Sequence, residues 1–158
     1  MREAIGGTWI MGIVIFFIIL FSSYLAISVN YSKAFKVKNG IINILEKHHG
    51  HTCCAQKEIV EYLDFVGYHI YSTCTDPYKG SLPSTKVGTN EYRYCLVSNV
   101  DGRQNAQLPR IYYSVGVFFR LDLPLLREVF TFSITGDSKT ITSAKDETNC
   151  TSIDFAKC

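Results

Sequence analysis

No charged side chain occurs between Ala4 and Ser32, and no proline between Gly12 and Leu45. The first absence excludes a solvent-facing surface helix over that stretch, and the second removes the usual reason for a helix to break. The chain also lacks Gly-x-Ser-x-Gly, Cys-x-x-Cys, His-Glu-x-x-His and any phosphate-cradling glycine loop. None of the common catalytic constellations therefore has a foothold, and an enzyme is not expected. A block of like charge is missing as well. The 16 basic and 14 acidic side chains are spread along the chain for a net charge of +2, which gives no electrostatic case for nucleic acid.

What fills the charge-free stretch is apolar. From Thr8 to Val29 the run is interrupted only by Ser22, Ser23, Tyr24 and Ser28. At about 1.5 Å per residue a helix over this run covers roughly 33 Å, against a hydrocarbon core of about 30 Å. Trp9 lies near one end and Tyr24 and Tyr31 near the other, where amphipathic rings favour the lipid interface. A cleaved signal peptide is the rival, with Ala26-Ile27-Ser28 offering small residues at the end of the run. Signal cores run about 7 to 15 residues, so a retained anchor is the better fit.

Past the run the helical pattern continues. Ile27, Tyr31, Ala34, Phe35, Ile41, Ile42 and Leu45 recur every three or four residues, and Lys33, Lys36, Gly40, Asn43 and Lys47 form the opposite stripe. One continuous helix from about Ala4 to His48 is predicted, part lipid span and part amphipathic stalk. Gly50 is the expected stop, in the left-handed position after the helix, with His48 and His49 at its negative end.

The spacing of Ile59, Val60, Leu63 and Val66 predicts a second, short helix over Gln56–Val66, followed by a strand at Tyr68–Ser72 and a loop at Gly80–Asn90. Two-residue alternation predicts strands at Tyr92–Ser98, Ile111–Leu121 and Glu128–Thr135. Ile111, Tyr113, Val115, Val117, Phe119 and Leu121 form one face of the second, with Phe130, Phe132 and Ile134 facing the core from the third. With no helix between them, an antiparallel meander is the economical arrangement. The fold class expected is α+β: a long N-terminal helix, a short helix and a small antiparallel sheet, disulfide-bonded. The expected division is 1–7 as a short cytoplasmic N-terminus, 8–29 as the transmembrane helix, 30–49 as the stalk and 50–158 as an extracytoplasmic head.

Orientation is argued in two directions. Lys33, Lys36 and Lys38 follow the span while only Arg2 and the terminal amine precede it, which favours a cytoplasmic C-terminal part. Against this stand six cysteines, Cys53, Cys54, Cys74, Cys95, Cys150 and Cys158, which read as a disulfide framework in an oxidising space. The cysteines decide for an extracytoplasmic head on a single-pass protein of the cell membrane. Sequence does not fix their pairing; the expectation taken forward joins Cys150 to Cys158 and Cys53 or Cys54 to Cys74.

Two clusters invite chemistry. His48, His49, His51, Cys53 and Cys54 place imidazoles and thiols close together as candidate zinc or copper ligands. Their spacing matches no familiar zinc pattern, so a helix end followed by disulfide anchors outweighs a metal site, and no cofactor is expected. Cys95 with His69 is a conceivable thiol pair and loses to a structural role for the cysteine. Leu121, Leu123, Pro124, Leu125 and Leu126 form an apolar patch between two strands, read as core in preference to a subunit contact.

A short Met1-Arg2-Glu3-Ala4-Ile5-Gly6-Gly7 leader, a span running into the Tyr31–Leu45 stalk, and the segment VFFRLDLPLLREVFTFSITGDSKTI from Val117 to Ile141 together resemble the type IV pilin and pseudopilin superfamily. The resemblance is narrower to the Tad-type, TadE-like minor pilin proteins. It implies a non-enzymatic subunit of a pilus or type II-related secretion apparatus, with the bilayer and other pilin-like subunits or secretion-platform proteins as partners. Pilin precursors are commonly cut after a glycine and carry glutamate at the fifth mature position. A cut after Gly6 places Met11 there and a cut after Gly7 places Gly12, so a minor or anchoring subunit is implied. The alternatives are a free-standing anchored binding module or adhesin, and a membrane-tethered metal or redox protein.

Overall fold

The computed structural model describes residues 2–80, 91–100, 110–122, 129–142, 144, 150 and 158. Helix α1 runs unbroken over Arg2–Lys47, 46 residues or about 69 Å at 1.5 Å per residue. Helix α2 covers Cys53–Val66, and strands β1 (Lys79–Gly80), β2 (Tyr94–Val100), β3 (Arg110–Asp122), β4 (Val129–Asp137) and β5 (Ile141–Thr142) follow. The architecture is the α+β one expected.

The two halves of α1 live in different surroundings. From Gly7 to Val29 no side chain is buried, although almost all are apolar. The Ser22 hydroxyl donates back to the Ile18 carbonyl at 2.8 Å and Ser23 to that of Ile19 at 2.9 Å, so both satisfy their donors within the helix and need no water. This part is long and apolar enough to cross a membrane. From Ala34 onward the same helix enters the core, with Ala34, Val37, Ile41 and Leu45 essentially inaccessible.

That core lies between α1 and one face of the sheet. The strands are antiparallel in the order β1-β2-β3-β4, with β5 also pairing with β3. In β3 the residues of the predicted inward face, Tyr113, Val115, Val117 and Phe119, are buried against α1, and Tyr94 joins from β2 opposite Val117. Helix α2 closes the side through Ala55, Ile59 and Leu63.

Several expectations are corrected. Tyr68–Ser72 is not a strand: the Tyr68 amide closes α2 on the Leu63 carbonyl, and only Ser72 makes a bridge, to Tyr92. Gly80 belongs to β1 and pairs with Cys95; residues 81–90 of the predicted loop lie outside the described residues. The left-handed residue after α1 is His49 (φ 52°), not Gly50 (φ 138°). The Gly50 amide reaches the Leu45 carbonyl and the His49 amide that of Glu46, a Schellman closure displaced by one residue from the expected position. Helix α2 ends the same way on Gly67 (φ 70°), and opens on Thr52, whose hydroxyl accepts from the Ala55 amide. Phe132, expected to face the core, is 46% exposed although it stacks on Phe119, its partner across β3 and β4. On the opposite face of β3, Ser114 and Phe118 are buried, so that face is not simply solvent-directed.

The stripe of α1 opposite the sheet is also occupied. Gly40, read as part of a polar stripe, lies under the Tyr62 ring of α2, and a Cβ at this position would overlap that ring. The Tyr62 hydroxyl donates to the Lys36 carbonyl. Absence of a side chain at Gly40 is what lets α2 lie close along α1.

Candidate site at the foot of the stalk

Three segments converge where α1 leaves its apolar run. Helix α1 supplies Asn30, Lys33, Ala34, Lys36 and Val37; the C-terminal end of α2 and the chain after it supply Val66 to Ile70; and the far end of β3 supplies Phe118 to Arg120. Two contacts hold them together. The Asn30 amide donates to the Arg120 carbonyl at 3.2 Å, linking the first turn after the apolar run to β3. The Tyr68 hydroxyl donates to the Phe118 carbonyl at 2.7 Å and accepts from the Phe118 amide at 2.8 Å.

The Tyr68 contact has a topological cause. The pairing of β2 with β3 begins at Tyr94 opposite Val117, so the edge of β3 at Phe118 has no β2 residue to satisfy it. One buried phenol takes over both backbone groups. Burial pushes the Tyr68 hydroxyl well above the ordinary tyrosine range, against the opposing effects of its bond to Phe118 and of the nearby Arg120 charge.

The result is a groove of about 330 Å³. Its floor is apolar, with Ala34, Val37 and Phe119, and cationic side chains of Lys33, Lys36 and Arg120 stand around it with His69. Among the described residues these three cations form no ion pair. Elsewhere three cations are matched, Lys47 with Glu58 at 2.7 Å, Arg93 with Asp64, and Lys139 with Glu46 at 3.5 Å, while Lys38 and Arg110 form no ion pair among the described residues. Lys38 is 8% exposed and rests its ammonium 4.4 Å above the Phe35 ring, beside Gly136, where a side chain would collide with it.

Comparison with known protein families, curated proteins and solved structures finds no match for this chain. Its chemistry therefore has to be read from its own side chains.

The residues singled out from sequence are distributed as follows. Trp9, Tyr24 and Tyr31 are all exposed, and Tyr31 sets its ring edge-on to Phe119, 6.1 Å between centroids. His48 is bonded to Glu58 at 2.6 Å, His49 closes the end of α1 and His51 is half-buried. Lys47 first and then His48 hold the Glu58 carboxyl below the usual carboxylate range. The cysteines of the candidate ligand cluster are committed to other bonds: Cys53 is joined to Cys150 and Cys54 to Cys158, which leaves no thiolate for a metal. Cys74 is bonded to Cys95, so Cys95 offers His69 no thiol. Both pairings expected from sequence, Cys150 with Cys158 and Cys53 or Cys54 with Cys74, are replaced. The bonds span 97 and 104 residues where loops of about 15 to 20 were expected, because α2 starts beside Cys150 and Cys158, not beside Cys74. Of the leucine patch, Leu121 falls in β3 and residues 123–126 lie outside the described residues.

Asn30, Tyr68 and Arg120 were not singled out from sequence. Lys33 and Lys36 were, as topology signals and as part of the polar stripe of α1. An available signal was the pair of lysines one turn apart directly after an apolar run, which places both charges on one side of the helix within about 10 Å of the end of that run.

Proposed function

We propose that this protein is a membrane-anchored, non-enzymatic structural subunit of the pilin-like kind, a minor or assembly component of a pilus or type II-related secretion apparatus. The observation that carries this reading is the division of α1. Its first half exposes an unbroken apolar surface, and its second half is built into the core of a disulfide-bonded α+β head. A helix continuous through both halves transmits any lateral packing in the bilayer rigidly to the head, which is the mechanical requirement of a subunit that polymerises or docks through its N-terminal helix.

The three disulfides support an oxidising compartment for the head and hence a cytoplasmic N-terminus. The span would pack against equivalent helices of other subunits through exposed residues such as Trp9, Ile13 and Phe16, which flank Gly12.

Crosslinking in native membranes tests this. With all six native cysteines bonded, a single cysteine introduced by Gly12→Cys or Ser22→Cys is the reactive thiol. Oxidation is expected to trap disulfide-linked species with copies of this chain or with other single-span subunits that begin in the same kind of helix. A chain that inserts in the membrane yet stays monomeric at both positions contradicts the reading and favours a free-standing anchored module.

A further inference from the structure

We propose that the groove at the foot of the stalk binds the phosphate-bearing headgroup of an anionic phospholipid, locking the head to the membrane surface. The proposal rests on the reading of α1 as a membrane span and goes beyond it, because a span by itself needs no lipid-specific site.

Height is the first argument. The apolar run ends at Val29, and at about 1.5 Å per residue Lys33 stands roughly 6 Å and Lys36 roughly 10 Å above that point. The polar layer of a bilayer adds about 6 Å on each side of the hydrocarbon core, so the groove opens at headgroup level.

Charge is the second. Lys33, Lys36 and Arg120 come from two different elements, line the same groove, and have no carboxylate partner among the described residues, whereas Lys47, Arg93 and Lys139 each have one. Holding three like charges together costs energy that an anion offsets, and a lysine pair plus a guanidinium is a donor set suited to phosphate.

The third argument separates a lipid from a free anion. Val66, which lines the groove with the cations, is 45% exposed, and its chain neighbour Phe65 is 89% exposed, at the end of α2 nearer the span. A lipid surface would cover this phenylalanine, since an apolar side chain next to cations is the composition of segments that settle at the headgroup boundary. The apolar floor of Val37 and Phe119 then faces the glycerol and upper acyl carbons, while the cations hold the phosphate.

The test uses the full chain reconstituted in vesicles of mixed phosphatidylglycerol and phosphatidylcholine, extracted in mild detergent and examined by native mass spectrometry for retained lipid. Phosphatidylglycerol is expected to be retained over phosphatidylcholine by about tenfold or more, since each basic side chain near the surface favours an anionic lipid by about 1 kcal/mol. Lys33→Gln, Lys36→Gln and Arg120→Gln together are expected to abolish the preference, and K33R with K36R to keep it. Lys47→Gln, Arg110→Gln and Lys139→Gln together, which remove equal charge elsewhere, should leave it intact. Equal loss in that control variant reduces the effect to net charge and overturns the site. Displacement of the lipid by millimolar inorganic phosphate would show a free-anion site instead, and also overturns it. Alkaline extraction of the vesicles separates the two readings. A chain that resists extraction but shows no lipid preference overturns the headgroup site alone, and one that washes off overturns the span and the site with it.

Discussion

The Tyr68 hydroxyl does the work of a missing strand residue. It is buried and satisfies both backbone groups of Phe118. Tyr68→Phe keeps the ring and leaves a buried amide and carbonyl unpaired, a loss of about 1–3 kcal/mol in chemical denaturation of the detergent-solubilised protein. The same hydroxyl sets an alkaline limit. Its folded pKa lies above the unfolded value, so its contribution is present below pH 10.0 and declines as pH rises past it. Gly40 acts through the side chain it lacks. Gly40→Ala gains about 1 kcal/mol of helix propensity but drives a Cβ into the Tyr62 ring, where overpacking costs about 1–3 kcal/mol. A net loss of stability is expected, relieved by adding Tyr62→Ala; a stabilised single variant would show that α2 does not lie close on α1. Neither residue was legible as special in the sequence. Period shows that Gly40 lies opposite the apolar stripe, but not that another helix comes to rest there, and nothing local tells a tyrosine that bonds a strand edge from one that fills a core.

Among the elements, the regular ones were the readable ones, because their burial follows their own period. The strict alternation of β3 gave its inward face correctly, and the continuity of α1 followed from the absence of proline and the persistence of its apolar stripe. The short pieces depend on what they meet. Tyr68–Ser72 has strand-like residues, but its backbone bonds go to the end of α2 at Leu63 and to Tyr92, and α1 closes on His49 although Gly50 is the residue better suited to a left-handed turn. Cysteine pairing is the extreme case, being decided by which ends the fold brings together. The clamp of α2 on α1 at its upper end is electrostatic, Glu58 holding both Lys47 and His48. Its lowered pKa means that this contribution is present above the ordinary carboxylate range and is lost as pH falls through the depressed folded value. Glu58→Gln should therefore flatten the acid limb of a stability-versus-pH curve while costing no more than about 1 kcal/mol at neutral pH, since the pair is partly exposed. An unchanged acid limb would mean that the pairing is not maintained in solution.

For the molecule as a whole, the long-range disulfides fasten the start of α2 to the end of the chain. Because Cys54–Cys158 closes almost the same loop as Cys53–Cys150, loss of both long-range bonds, spanning 97 and 104 residues, is expected to cost about 5 kcal/mol or more in the chain-entropy account, against about 3 for Cys74–Cys95, spanning 21. Paired serine replacements compared by thermal denaturation check the order; a larger loss from the shorter loop would contradict it. The groove belongs to this scale too, since its cations come from elements far apart in sequence, and for that reason only the lysines of α1 were visible beforehand. The central claim, that one helix is lipid-facing below Asn30 and core-forming above it, is tested most directly by spin-label accessibility along α1, from Trp9 to Leu45, in vesicles so dilute in protein that the spans of different copies stay apart. The expected result is oxygen accessibility without helical period from Trp9 to Val29, then a sharp change to a period near 3.6, with Ala34, Val37, Ile41 and Leu45 inaccessible to every quencher and Lys33 and Asn43 open to an aqueous one. Aqueous accessibility or periodic burial below Asn30 would contradict it, showing the lower half to be packed in protein or water instead of lipid.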